Sequence, residues 1–260
     1  MKTGGTTLAF DLARDFAPDV VYPGEADRRN AGDVEPYISV SQLVRSAAAR
    51  TAEIRLYAGH FAYVVCELLP VRVRSFTLLR DPVARTVSVL RHFKHRFERY
   101  DVLSLEQIYD DEFVFEHFVH DHQTKLFSAT PQDQIETFAS RLTHEENLAR
   151  HRGLVPAGAT ATFPVDAARL ARAKANLAAV EVVGVTEHYP DFVEELRARF
   201  GWWPAGVNTD ARTNVSSTEW RAPPALLRRI EHDNAFDMEL YDFARVLAEP
   251  QAGPRSTGAA

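Results

Sequence analysis

Apolar and polar positions alternate along the chain in two rhythms. Short β-type runs appear at Glu53 to Gly59 (EIRLYAG), in RSFTLLRD up to Asp81, and in EVVGVTE from Glu181. Between and after them, apolar residues recur at helical spacing. PVARTVSVLRHFKHRF, DEFVFEHFVHDHQTKLF, PQDQIETFASRLTHEENLARH and VDAARLARAKANLAAV each predict a helix. YPDFVEELRARFG predicts another, closed by Gly201 as a left-handed cap, and PPALLRRIEHDNAFDMELYDFARVLAE predicts the last two. GGTTLAFDLARDF reads as loop then helix, and WWPAGVNTDARTNVSSTEW as loop. Strands that alternate with helices predict an α/β fold built around a parallel sheet. Such sheets bind ligands beyond the carboxyl ends of their strands.

No internal repeat and no linker interrupts this pattern, so residues 1–248 are expected to form one domain and 249–260 a disordered tail. Composition adds little to the fold but narrows the function. Of the 260 residues 45% are hydrophobic, enough for a packed core, and the formal charge of −6 argues against a nucleic-acid partner. The single cysteine, Cys66, permits no internal disulfide. It sits in the apolar run YVVCELL, which suits an inert thiol better than a nucleophile. No run of about 18 apolar residues predicts a membrane span, and the start of the chain has no apolar signal core. A cytoplasmic location is expected.

Two stretches carry anion chemistry. In MKTGGTTL, Gly4 and Gly5 let backbone N–H groups approach a ligand closely, Thr6 and Thr7 can cap the following helix, and Lys2 adds a cation. The order of residues does not fit the Walker pattern, because the lysine precedes the glycines and no Gly-Lys pair occurs. The plain alternative is a capped helix start. In SFTLLRDPVARTVSVLRHF, Arg80 falls at a strand's carboxyl end, Asp81 is an N-cap and Pro82 the first helical residue. A guanidinium there can take a phosphate, and Ser88, two turns on, can add a hydroxyl. The alternative is a strand-turn-helix connection with a surface arginine.

KTGGTTL and LLRDPVARTVSVLRHF together resemble the sulfotransferases that use 3′-phosphoadenosine-5′-phosphosulfate (PAPS), in particular the heparan sulfate 2-O- and 6-O-sulfotransferase group. AGHFAY, DHQTKLFSA, VVGVTEHYPDFVEEL, TNVSST and DNAFDMELYDFA resemble further motifs of that group, in the same order over almost the whole chain. The resemblance implies a P-loop-like, three-layer fold with a central parallel sheet flanked by helices, and no metal. It implies that Lys2, Thr3, Gly4, Gly5, Thr6 and Thr7 hold the 5′-phosphosulfate, with Lys2 also aiding departure of the leaving phosphate. Arg80 and Ser88 would hold the 3′-phosphate, with Asn214 and Ser216 in a loop that closes over the nucleotide. His60, after Gly59, would be the catalytic base, and His120, His122 and Gln123 would contact the acceptor, a glycan or other hydroxylated molecule.

In that group the cradle follows a buried strand ending in proline, and Met1 stands where the proline would be. The first strand is therefore expected upstream, as about 5–10 residues rich in Val, Ile and Phe. Two other functions compete with sulfuryl transfer. One is a nucleotide kinase, which would depend on Mg²⁺ and ATP. The other is an inactive nucleotide- or glycan-binding protein of the same fold.

Three features remain. His117, His120 and His122 beside Asp121 suggest a metal site, but His117 and His120 share a face with Phe113 and Val114 while His122 is expected to turn away. The basic run Arg91, Lys94, Arg96 and Arg99, with His92 and His95, is either a solvated face or a track for an anionic glycan. Trp202, Trp203 and Trp220 suit core packing, with adenine stacking as the other reading.

Overall fold

Asp81 and Pro82 open the longest helix as their chemistry dictates. The Asp81 carboxylate accepts a hydrogen bond from the Ala84 amide at 2.7 Å, and Pro82 occupies the first position, where no N–H is needed. This computed structural model describes residues 8, 12, 15–29, 39–133, 163–202 and 222–249. The cradle residues Lys2 to Thr7, the loop residues Asn214 and Ser216, Trp203, Trp220 and the 250–260 tail lie outside them, as do residues 134–151 of the helix expected over 131–151.

The strands are β1 (Val21–Tyr22), β2 (Leu56–Tyr57), β3 (Phe76–Leu79) and β4 (Val182–Val185). The helices before the long one are α1 (Glu25–Arg29), α2 (Val40–Arg50) and α3 (Val65–Leu68), and the long one is α4 (Pro82–Arg96). After it come α5 (Glu98–Asp101), α6 (Leu105–Tyr109), α7 (Glu112–Val114) and α8 (His122–Ser128). The last four are α9 (Ala167–Ala178), α10 (Tyr189–Phe200), α11 (Pro224–Asp233) and α12 (Ala235–Ala248).

The described residues are mostly helical, with two small parallel sheets in place of one central sheet. β1 pairs with β2, and β3 with β4 in the register Phe76 to Val182 through Leu79 to Val185. Helices cover both faces of the β3–β4 pair. Leu78 and Val182 pack on Tyr189, Phe192, Val193 and Leu196 of α10. Leu79 and Val185 pack on α9 and α12 through Leu170, Leu177 and Leu240. Leu56 of β2 joins the α10 side of that core, so the two sheets share apolar contacts without sharing a ladder. A second core, wholly helical, gathers Leu90 and Phe93 of α4, Ile108 and Tyr109 of α6, Ile230 of α11, and Phe118 from the turn between α7 and α8.

Local signals placed several elements. Gly201 ends α10 at φ 73°, as a left-handed cap should. Other expectations need correction. The single helix expected over 111–127 is interrupted: α7 passes into a π-helical turn (Phe115–Val119), and Asp121 then adopts φ 43° before α8 starts. Two long-range bonds hold that break. The Asp121 amide donates to Asn234 Oδ1 at 2.9 Å, and the Asp237 amide donates to Asp121 Oδ1 at 2.9 Å. β1 and α2 carried no expectation at all. Among the described residues no helix is long and apolar enough to cross a membrane.

Candidate functional site

β2 and β3, with the segments that lead into them, line one cavity of about 1060 Å³. Gly59 and His60 line it just past β2, Arg85 reaches it from α4, and His122 and Gln123 from the start of α8. Its wall is strongly one-signed. Five arginines (Arg28, Arg55, Arg72, Arg74 and Arg85) and two histidines line it, and among the described residues no carboxylate does. Four of these arginines are exposed and Arg74 pairs with Glu181, so the buried positive charge on the wall is that of Arg85.

Three of the expected site residues, His60, His122 and Gln123, thus meet at one cavity. Arg80 joins them through its backbone. Its N–H donates to Gln123 Oε1 at 3.1 Å, and its C=O accepts from Gln123 Nε2 at 3.0 Å. The Gln123 amide therefore closes on the end of β3 as a further strand would, and both its polar atoms are engaged there. Ser88 lies two turns along α4, and neither it, Arg80 nor His120 is among the described residues that line the cavity.

The Asp121 break decides which histidine faces inward. His122, expected to turn away, is 2% exposed on the cavity wall, while His120 is only half-buried and stacks on Phe115 at 4.9 Å. A continuous helix would have set the phase of these rings from Phe113; the left-handed residue resets it. His117 packs beside Phe113 at 4.7 Å. Among the described residues no group of three potential ligands is placed to hold a metal ion.

Burial sets the electrostatics. It pushes the His60 imidazole down to about 3, helped by the positive charge of Arg85. His122 is pushed well below its ordinary value by burial first and Arg85 second, while a hydrogen bond to the His117 backbone works the other way. Both rings are neutral at pH 7. Arg85 is itself lowered to about 10 by burial, against the pull of Asp237 and with a push from Arg80, so it remains charged. Asp237, the nearest counter-charge, is spent elsewhere: it accepts from the Gln123 amide at 3.1 Å and from the Thr124 amide and hydroxyl at 2.6 and 2.8 Å.

Arg85 is the residue that motif reading missed. A signal for it existed. Pro82, Arg85, Val89 and Phe93 follow helical spacing along the buried stripe of α4, so a charged residue occupies an apolar position.

The remaining candidates resolve into packing. Lys94 donates to the Asp101 and Leu103 carbonyls, and Arg99 pairs with Asp111 at 2.7 Å, so both tie α4 to the turns after it. Trp202 stacks on Phe200 at 4.5 Å, meets Phe16 and Phe76 edge-on, and also lines the cavity. Burial pushes the Cys66 thiol upward, the direction opposite to that of an activated nucleophile. The chain matches no protein-family model and no curated protein.

Proposed function

We propose that the chain is a PAPS-dependent sulfotransferase that sulfates a hydroxyl of a carbohydrate or other hydroxylated acceptor, on a P-loop-like three-layer fold. The observation that carries the reading is a cavity where Gly59 and His60, just past β2, meet Arg85 of the Asp-Pro-capped helix that follows β3 and Arg80. A doubly anionic nucleotide fits this wall, and the motif order of the sequence agrees with it. PAPS is the donor of the sulfuryl group and needs no metal.

In this reading Arg80 and Ser88 bind the 3′-phosphate, and Lys2, Thr3, Gly4, Gly5, Thr6 and Thr7 bind the phosphosulfate, with Asn214 and Ser216 in the closing loop. Gln123 holds the Arg80 backbone in place. His60, neutral because it is buried beside Arg85, accepts the acceptor's hydroxyl proton as the oxygen attacks sulfur. The S–O bond to the 5′-phosphate breaks with its electron pair on that phosphate, and Lys2 stabilises the charge. An anion beside Arg85 offsets the part of the depressed His60 basicity that Arg85 causes, so donor binding makes the base stronger.

The test is incubation with ³⁵S-labelled PAPS and a panel of glycans and small hydroxylated metabolites. Labelled product that disappears in His60→Ala, by about 10²–10⁴-fold, while nucleotide affinity holds, is the expected result. Binding of the desulfated nucleotide without any turnover would assign the chain to inactive binding proteins. Turnover that requires ATP and Mg²⁺ would make it a kinase.

A further inference from the structure

A buried cation without a partner is expensive, and the described part of this chain contains one. Arg85 is 1% exposed. One nitrogen, Nη2, donates to the Phe118 carbonyl at 2.8 Å. Among the described residues, Nε and Nη1 have no hydrogen-bond partner. An ionised group left in that state costs several kcal/mol unless an opposite charge and acceptors compensate it. Asp237 does not supply them, since its oxygens accept from Gln123 and Thr124. Arg85 lines the cavity together with His60 and His122, and the phenol oxygen of Tyr57, on the same wall, is also buried without a partner among the described residues. Arg85 Nε and Nη1 and the Tyr57 phenol are thus the donors without acceptors on a wall that carries no carboxylate among the described residues.

We propose that Arg85, flanked by His60 and His122, forms a binding site for a tetrahedral oxyanion group, a phosphate or a sulfate. Charge decides the class. Arg85 lies close enough to Arg80 for the two cations to oppose each other, and among the described residues no carboxylate lines the wall. That density of positive charge favours a dianion over a single carboxylate. Nε and Nη1 each donate to one oxygen, as charge-assisted bonds. The third and fourth oxygens are left for Tyr57, for the histidines or for the link to the rest of the ligand. The site does not depend on the sulfotransferase reading, which rests on a nucleotide and on turnover.

The test uses the full chain and inorganic anions. The Arg85 Nε–H signal is followed by nitrogen-15 NMR, assigned by its loss in Arg85→Lys, while sodium sulfate, sodium phosphate, sodium acetate or sodium chloride is added at matched ionic strength. A saturable shift with sulfate and phosphate, and none with chloride, is expected. Calorimetry should show sulfate binding weakened about 10–100-fold in Arg85→Gln, the fold-change for losing hydrogen bonds to a charged group. The NMR arm uses the unaltered chain, so a variant that fails to fold does not spare the proposal. An Arg85 signal that ignores sulfate and phosphate, or that responds equally to chloride, overturns it. An equal saturable response to acetate overturns the tetrahedral class. A response to sulfate survives even if no labelled sulfate is ever transferred from PAPS, so the two readings fail separately.

Discussion

Replacing Gln123 tests how the end of β3 is held. Its side-chain amide makes two bonds to the Arg80 backbone, at 3.1 and 3.0 Å, and the residue is 5% exposed. Gln123→Ala removes both. Each bond contributes about 1 kcal/mol net, and a stranded backbone group with restricted access to water adds a further cost of about 1–3 kcal/mol. Arg80 is only half-buried, so water rescues part of that cost. The expected loss is about 2–4 kcal/mol. Gln123→Glu separates the two bonds. The carboxylate still accepts from the Arg80 amide but sets an oxygen against its carbonyl, so the variant should be weak at neutral pH and regain stability as acid protonates it. The assay is urea unfolding of the three proteins, with unchanged m-values as the check that only stability moved. A Gln123→Ala protein within about 0.5 kcal/mol of the parent, the range of a neutral surface change, would refute the clamp.

Three further outcomes are expected. Gly184→Ala should destabilise by about 1–3 kcal/mol, because its Cβ would fall 2.3 Å from Phe192 Cδ2 in the core; Gly184→Ala combined with Phe192→Leu should recover part of that loss in the same urea assay. Asp237→Ala should cost about 3 kcal/mol or more by removing the acceptor for three donors at the start of α8, and hydrogen exchange should show His122 to Lys125 losing protection first. His60 is depressed from 6.5 to about 3, so its neutral form favours the folded state fully above pH 6.5 and that contribution is lost as pH falls toward 3; His60→Gln should therefore lose less stability than the parent over that window, measured by thermal melting against pH.

Caps were legible because their chemistry is local. Asp81 bonds an amide three residues on, and Gly201 needs only its own freedom at positive φ. The break at Asp121 was not, because its partners Asn234 and Asp237 lie 113 and 116 residues away and the apolar spacing runs through it undisturbed. That one residue decided the inward histidine, so a local reading chose the wrong face for His122. β1 has two residues, too few for an alternating pattern to register, whereas β2, as short, falls inside the β-type run at Glu53 to Gly59. His60 and Arg80 were found through motifs. Arg85 required a different habit, that of asking why a charge interrupts an apolar stripe.

Helix α8 shows why the site and the fold cannot be separated here. Three consecutive residues at its start serve three different parts of the molecule: His122 reaches the cavity, Gln123 the end of β3, and Thr124 the Asp237 carboxylate of α12. Asp121 adds the return bond from α12 and is raised to about 7, by burial first and by Asp237 second. A raised carboxyl favours the folded state fully below about pH 4 and loses that contribution as pH climbs to 7, the opposite slope to His60 over the same interval. Two titrations of opposite sign oppose each other in overall stability. They do not cancel locally: acid charges a ring on the cavity wall while it neutralises the carboxyl that sets α8. An anion bound at Arg85 would favour the protonated rings and leave the Asp121 end untouched, so the cavity should gain affinity for anions as pH falls toward 3, where His60 charges.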